Sequence, residues 1–209
     1  MCGNDIPELP DRVIYVAKEG QSPYLIRGDG IYVCYATLSH CWGHSTEAMT
    51  MMENLQAHMH SIDWDALPKT FKDAIITCRQ LGIEYLFIDR LCIVQNSKSD
   101  WEKQSGVMGS IYHDSTLTLA AAVSNDSSTG LFVPMRPSES CEDDLVLLPP
   151  SFGDHRGQAF LDVTDRKGLG DSLPVDRATD HVLDTRGWVM QEKYLARRTL
   201  YFLKGGMVW

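Results

Sequence analysis

The pattern of hydrophobic and polar positions predicts that short buried strands alternate with helices along this chain. Residues 32–38, YVCYATL, form a run of aromatic, β-branched and small apolar side chains, which is typical of a largely buried strand. Shorter apolar runs predict further strands at 13–16, 85–88, 117–122 and 199–203.

Two segments between these runs have helical periodicity. In residues 68–81 the apolar positions recur every three or four residues, on one predicted inner face: Phe71, Ala74, Ile75, Cys78 and Leu81. Pro68 is compatible with a first turn, and Gly82 can end the helix in a left-handed conformation.

The second helix is predicted to begin at Ser99, because Ser99 and Glu102 have the spacing of a capping box. Its inner face is predicted to continue through Trp101, Ser105, Met108, Ile111 and Tyr112.

Alternating strands and helices predict the α/β class, with a parallel sheet covered by helices. Right-handed crossovers bring the carboxyl ends of parallel strands to one edge of the sheet. We therefore expect residues 39–43, which follow the first buried strand, to lie beside residues 89–92, which follow the next one.

The domain organisation is predicted to be one α/β domain over 31–209, preceded by an N-terminal extension at 1–30. An irregular insertion interrupts the domain at about 134–182. The wider region 124–180 is rich in turn-forming residues and offers only LVLL and AFLDV as strand candidates.

Charge and cysteine usage narrow the function classes. The chain carries 28 acidic and 19 basic residues, a net charge of −9, which disfavours nucleic acid as a partner. No apolar run approaches the about 20 residues that span a bilayer, and no signal peptide is recognisable. Because neither is found, we expect the six cysteines, which include no C-x-x-C pair, to be reduced thiols in the cytosol or nucleus, and we predict a cytoplasmic location.

Three blocks, taken together and in this order, resemble the heterokaryon-incompatibility (HET) domain of filamentous fungi. They are YATLSHCWG at 35–43, the long stretch 67–132, and LDTRGWVMQEKYLARRTLYF at 183–202. One departure is Arg90, which stands where the family usually has Ser. The resemblance implies a cell-death effector of self/non-self recognition, with a distant similarity to Toll/interleukin-1 receptor (TIR) domains and a sheet of flavodoxin- or TIR-like type.

Some TIR domains hydrolyse NAD+ with a glutamate on a helix, and the resemblance makes Glu192 the candidate catalytic residue. A carboxylate beside the ribose stabilises the oxocarbenium-like transition state of N-glycosidic cleavage. Trp188, one helical turn earlier, is expected to flank it. The alternative is that Glu192 forms a structural ion pair with Arg186 or Arg197.

The edge loops supply the candidate substrate-binding residues: Ser39, Cys41, Trp42, Gly43, Asp89, Arg186 and Trp188. Trp42 can stack on a base or anchor its loop in the core, and Gly43 allows close backbone approach. Asp89 can bind a ribose hydroxyl, orient another group, or cap the following loop. Residues 127–130, SSTG, are predicted to form a plain turn rather than a phosphate cradle.

One other chemistry remains as an alternative. A thiol hydrolase would use Cys41 or Cys92, although Cys92 has the surroundings of a buried hydrophobe. No metal site is predicted, because His40, His44, His58 and His60 lack a third ligand and a fixed geometry. TIR-like activity implies NAD+ as substrate, no bound cofactor, and a homo-oligomer or recruitment by an upstream sensor. The rival function is a non-enzymatic interaction module.

Overall fold

A computed structural model describes residues 6–43, 48–122, 124, 126–134, 195–203 and 206–209, and the backbone of strands at 146–147 and 160–161. Within these residues the strands are β1 Arg12–Tyr15, β2 Tyr24–Arg27, β3 Ala36–Ser39, β4 Tyr85–Phe87, β5 Leu117–Ala121, β6 Val146–Leu147, β7 Phe160–Leu161, β8 Thr199–Leu203 and β9 Gly206–Val208. The helices are α1 Leu55–His60, α2 Lys69–Leu81, α3 Asp89–Cys92 and α4 Lys98–Asp114.

The described strands form one mixed sheet in the order β2-β1-β4-β3-β5-β8-β9-β7-β6. Its centre, β4-β3-β5-β8, is parallel, whereas β1 joins β4 and β9 joins β8 in antiparallel fashion. Every residue of β3 and β5 is buried, which is typical of parallel strands covered on both faces. The predicted α/β class and parallel core are confirmed.

The first buried strand is shorter than predicted. β3 begins at Ala36, because residues 31–33 pair with the N-terminal segment instead of continuing the strand. The amide of Leu9 donates to the carbonyl of Ile31 at 2.8 Å, and the amide of Val33 donates to the carbonyl of Pro7 at 3.0 Å.

Residues 12–27, within the segment predicted to be an N-terminal extension, supply β1 and β2 of the same sheet. Arg12 of β1 also forms hydrogen bonds to the helices α3 and α4. Its guanidinium donates to the carboxylate of Asp100 at 2.6 Å and to the carbonyl of Cys92 at 2.8 Å. These contacts tie the outer strands to α3 and α4.

Helix α2 follows its predicted boundaries. Pro68 is the residue before the helix, and Gly82 ends it with a φ of 69°. Phe71, Ile75 and the other central positions are wholly buried, as predicted. Leu81 is a correction: it is 47% exposed, because it lies in the last turn beside the Gly82 stop.

Helix α4 begins earlier than predicted. Ser97 is the capping residue, and its hydroxyl accepts a hydrogen bond from the amide of Asp100 at 3.3 Å. The buried face contains Gln104, Ile111 and Tyr112, and it is rotated away from Trp101, which is 45% exposed. The prediction that Trp101 lies on the inner face is therefore wrong.

Candidate functional site

The loops that follow β3 and β4 meet at the carboxyl edge of the parallel strands. The indole Nε1 of Trp42 donates a hydrogen bond to Oδ2 of Asp89 at 2.9 Å. Asp89 is the first residue of α3, directly after β4 and Ile88. The predicted juxtaposition of these two loops is confirmed.

The carboxylate of Asp89 is used within the protein on both oxygens. Oδ2 accepts from Trp42, and Oδ1 accepts from the amide of Arg90 at 2.7 Å. The sequence left open whether Asp89 caps the following loop or orients another group. The bond from the Arg90 amide is a capping contact, and the bond from the Trp42 indole is an orienting contact. Asp89 therefore fixes the direction of the Trp42 ring.

Arg90 is a member of this site that sequence reasoning noted only as a departure from the family pattern. Its side chain is wholly buried, with the guanidinium 5.6 Å from the centre of the Trp42 ring. Its Nη1 also donates to the carbonyl of Trp42 at 3.2 Å. A charged residue within the apolar run 86–94 was the available signal, because a charge in such a run needs specific partners.

The members of the β3 loop differ in accessibility. Ser39 and Cys41 are each only 4% exposed, whereas Trp42 is half-buried and Gly43 is exposed. His40 is buried with its ring edge-on to Phe71, at 4.9 Å between ring centres. Trp42 and Gly43 are thus the accessible residues among the described members of this loop.

A third loop, residues 126–131, borders the same edge. Asp126 accepts three hydrogen bonds on Oδ1: from the amide of Ser128 at 2.8 Å, from its hydroxyl at 2.7 Å, and from the Thr129 hydroxyl at 3.3 Å. The bonds from Ser128 hold the pKa of Asp126 below its ordinary value. This is an Asx-type turn, which agrees with the plain turn predicted for 127–130.

The thiols give no support to nucleophilic chemistry at Cys92. Cys92 is 1% exposed, and burial raises its pKa to about 12, as it does for Cys78. A thiol with so high a pKa stays protonated at neutral pH and is a poor nucleophile. The expectation of reduced thiols is confirmed for Cys41, Cys78 and Cys92, whereas Cys34 is disulfide-bonded.

Among the residues that the structure describes, no group of three or more His, Cys, Asp or Glu is arranged to hold a metal ion. His58 bonds instead to the Thr50 hydroxyl, at 2.9 Å from its Nδ1. Burial lowers the pKa of His58, which favours a neutral ring. Across the described segments, no helix is long and apolar enough to cross a membrane.

Three predicted site residues, Glu192, Arg186 and Trp188, lie outside the described residues. The chain is described again from Leu195, which packs against Gly109 of α4. A cavity of about 400 Å³ lies here, lined by Ser105, Gly106, Gly109, Ser110, His113, Asp114 and Leu195. Of the described residues that line it, none is a predicted site residue.

The sheet and its edge define the class: a mixed-sheet α/β protein whose candidate site lies where the parallel strands end. A family model described as "Heterokaryon incompatibility protein (HET)" matches residues 35–192, which is most of the chain. The chain belongs to the heterokaryon incompatibility family, as its resemblance predicted. Membership suggests involvement in heterokaryon incompatibility and cell death. Searches of curated proteins and of solved structures found no match.

Proposed function

We propose that this protein is a cytoplasmic cell-death effector of fungal self/non-self recognition that binds NAD+ at the carboxyl edge of its parallel strands. It hydrolyses the dinucleotide when it is assembled into a homo-oligomer. The observation that carries the proposal is the hydrogen bond from Trp42 to Asp89, which fixes the indole at the carboxyl edge of the parallel strands, where an α/β sheet of this kind binds ligands.

The order of the parallel strands supports this location. Taken in sequence, β3, β4, β5 and β8 are the first to fourth parallel strands, and their spatial order is 2-1-3-4. Flavodoxin-like sheets have this order, and their ligands bind beyond the carboxyl ends of the first and third strands. In this chain those strands are β3 and β5, and Trp42 and Gly43 follow β3 directly.

The residues of the edge have distinct roles in the proposal. The accessible part of the Trp42 indole stacks on the nicotinamide or adenine ring, and Asp89 holds the indole in place. Gly43, with a φ of 65° and no side chain, allows the ribose or phosphate to approach the backbone. Ser39 and Cys41 contribute backbone lining, because their side chains are buried.

Glu192 is the proposed catalytic residue, with Trp188 and Arg186 beside the substrate. Its carboxylate stabilises the positive charge that develops on the ribose as the bond to nicotinamide breaks. Water adds to the ribose carbon and loses a proton, and nicotinamide leaves as a neutral base. The products are ADP-ribose, nicotinamide and one proton.

A second function is a non-enzymatic module that kills by recruiting a partner or by answering an upstream sensor. It is favoured by one observation: both oxygens of the Asp89 carboxylate already have protein donors. In that case the contact between Trp42 and Asp89 is purely structural, and a different surface of the protein binds the partner. Nucleic acid is disfavoured as the partner by the net charge of −9.

The two functions are separated by expressing the full chain with an oligomerising fusion and following NAD+ by chromatography. We expect Glu192→Gln to lower turnover by at least about 100-fold and to abolish killing. Glu102→Gln is the matched control, because Glu102 lies exposed on α4 beside Lys98. An oligomer that kills cells without consuming NAD+ would exclude hydrolysis and leave the recruiting module.

A further inference from the structure

The edge between β3 and β5 is covered by a short turn of the chain itself. We define the β5 turn as the described residues 124 and 126–131. The hydroxyl of Ser124 donates to the carbonyl of Gly130 at 2.7 Å, which closes the turn across its base. The following residue, Leu131, is 1% exposed and anchors the turn in the core.

The β5 turn is bonded to both of the elements that border the edge. The hydroxyl of Ser127 donates to the carbonyl of Cys41 at 3.2 Å, which fastens the turn to the β3 loop. The amide of Thr70, in the first turn of α2, donates to the carbonyl of Ser127 at 3.0 Å. Ser127 thus bridges the β3 loop and α2 from the middle of the turn.

Asp126 lies directly against Gly43 of the β3 loop. A Cβ atom added to Gly43 would lie 2.4 Å from the Cβ of Asp126. A ribose or phosphate that approaches the Gly43 backbone from this side would therefore collide with Asp126. The carboxylate of Asp126 also brings a negative charge to this position, which repels the phosphates of a dinucleotide.

We propose that the β5 turn is an autoinhibitory plug, which must leave the edge between β3 and β5 before a dinucleotide can bind there. This inference rests on the proposed NAD+ site. The closed position is held by the two hydrogen bonds of Ser127 and by the packing of Asp126 on Gly43. The base of the turn remains in place: the Ser124–Gly130 bond, the bond from the Gly130 amide to the Thr70 hydroxyl at 3.1 Å, and the bond from the Leu131 amide to the Asp73 carboxylate at 2.8 Å are all kept. Residues 126–128 move about this base.

The inference requires that weakening the plug strengthens NAD+ binding. Ser127→Ala removes the bond to the β3 loop and keeps the carbonyl bond to α2. Loss of one hydrogen bond of ordinary strength shifts the closed-to-open ratio by about fivefold, and the apparent affinity rises by the same factor. Asp126→Ala removes three bonds within the turn and the charge beside Gly43, and we expect a larger gain.

Asp63→Ala is the matched control. Asp63 also accepts a bond from a backbone amide two residues ahead, Asp65, at 3.0 Å. It lies beside the outer strand β2, since the amide of the adjacent Ile62 donates to the carbonyl of Pro23, just before that strand. The variant loses an equivalent turn contact without touching the plug, and its affinity for NAD+ should equal that of the wild type.

The experiment measures the NAD+ dissociation constant of the full-length wild type and the three variants by calorimetry, with thermal melts to confirm folding. Hydrogen exchange of the Thr70 amide, which is bonded to the Ser127 carbonyl, is followed with and without NAD+, and the Gly130 amide, bonded at the base, is the internal reference. We expect tighter binding by the Ser127 and Asp126 variants, and faster exchange at the Thr70 amide alone in wild type with NAD+.

Each outcome separates this inference from the proposed function. Equal binding by wild type and both plug variants, with unchanged or slower exchange, keeps the NAD+ site and overturns the plug. Binding by the plug variants alone supports both proposals. Absence of binding in every folded variant overturns the proposed function, and the plug with it.

Discussion

At the scale of single residues, two glycines have similar backbone conformations but differ in how closely other residues pack against them. Gly43 and Gly82 have φ angles of 65° and 69°, which side chains other than glycine rarely adopt. Nothing lies within 4 Å of a Cβ at Gly82, whereas a Cβ at Gly43 meets Asp126. We expect Gly82→Ala to lower the free energy of unfolding by about 1 kcal/mol, and Gly43→Ala by about 1–3 kcal/mol more.

Urea unfolding of the two variants measures this difference directly. Equal losses in both would show that the Gly43–Asp126 contact is loose, and the plug would then lose its steric basis.

The cysteines give a second prediction at this scale. Because burial raises the pKa of Cys78 and Cys92 to about 12, neither thiol should react with iodoacetamide at neutral pH in the folded chain. Both should be alkylated after unfolding, and peptide mass spectrometry identifies the modified positions. Rapid labelling of native Cys92 would restore the thiol-hydrolase alternative.

Sequence reasoning succeeded for residues whose position follows from chain order. Trp42 and Asp89 follow neighbouring parallel strands, and the rule that such strand ends share an edge was enough to bring them together. Arg90 and Asp126 were missed because their roles depend on tertiary contacts. The burial of Arg90 under Trp42 and the contact of Asp126 with Gly43 leave no spacing pattern in the sequence.

At the scale of elements, the tie between β1 and α4 predicts an acid-sensitive contribution to stability. Burial alone would raise the pKa of Asp11, but hydrogen bonds from Lys103 and Gln104 outweigh it and lower the pKa below the ordinary 3.8. A carboxyl with a lowered folded pKa contributes stability above its unfolded pKa, and loses it as the pH falls through the folded value.

We therefore expect the urea midpoint of the wild type to fall more between about pH 5 and about pH 2 than that of Asp11→Asn. Asp63→Asn serves as the control, since Asp63 bonds only locally, to the amide of Asp65. If Asp11→Asn has the same pH dependence as wild type, the contact between Asp11 and α4 is not formed in solution.

The helix boundaries show which local signals decide an element. Pro68 and Gly82 were sufficient for α2, because a proline start and a glycine stop act through backbone geometry alone. For α4 the sequence predicted a start at Ser99, whereas Ser97 is the capping residue. The tertiary bonds of the Asp100 carboxylate to Arg12 and to the amide of Val94 favour Ser97, and they could not be foreseen from local spacing.

At the scale of the whole molecule, the parallel core was predictable and its antiparallel borders were not. Strand and helix alternation determines the centre, β4-β3-β5-β8. The outer strands β1 and β2 are short. β1 joins β4 through pairs of residues that are about 70 positions apart in sequence, such as Ile14 with Leu86. Pairings between such distant segments are not encoded in the hydrophobic pattern of either one.

We propose that this HET-family protein binds its ligand at the carboxyl edge around Trp42. The most direct test is nuclear magnetic resonance of the indole N–H groups during an NAD+ titration, with the signals of Trp42 and Trp64 assigned by Trp42→Phe and Trp64→Phe. Trp64 is an internal control, because it packs under Arg79, whose guanidinium also binds the carbonyl of Val16 just after β1.

The account predicts that NAD+ shifts the Trp42 indole signal, whose proton is bonded to Asp89, and leaves the Trp64 signal unchanged. A titration in which the Trp42 signal stays fixed at saturating NAD+ would contradict it.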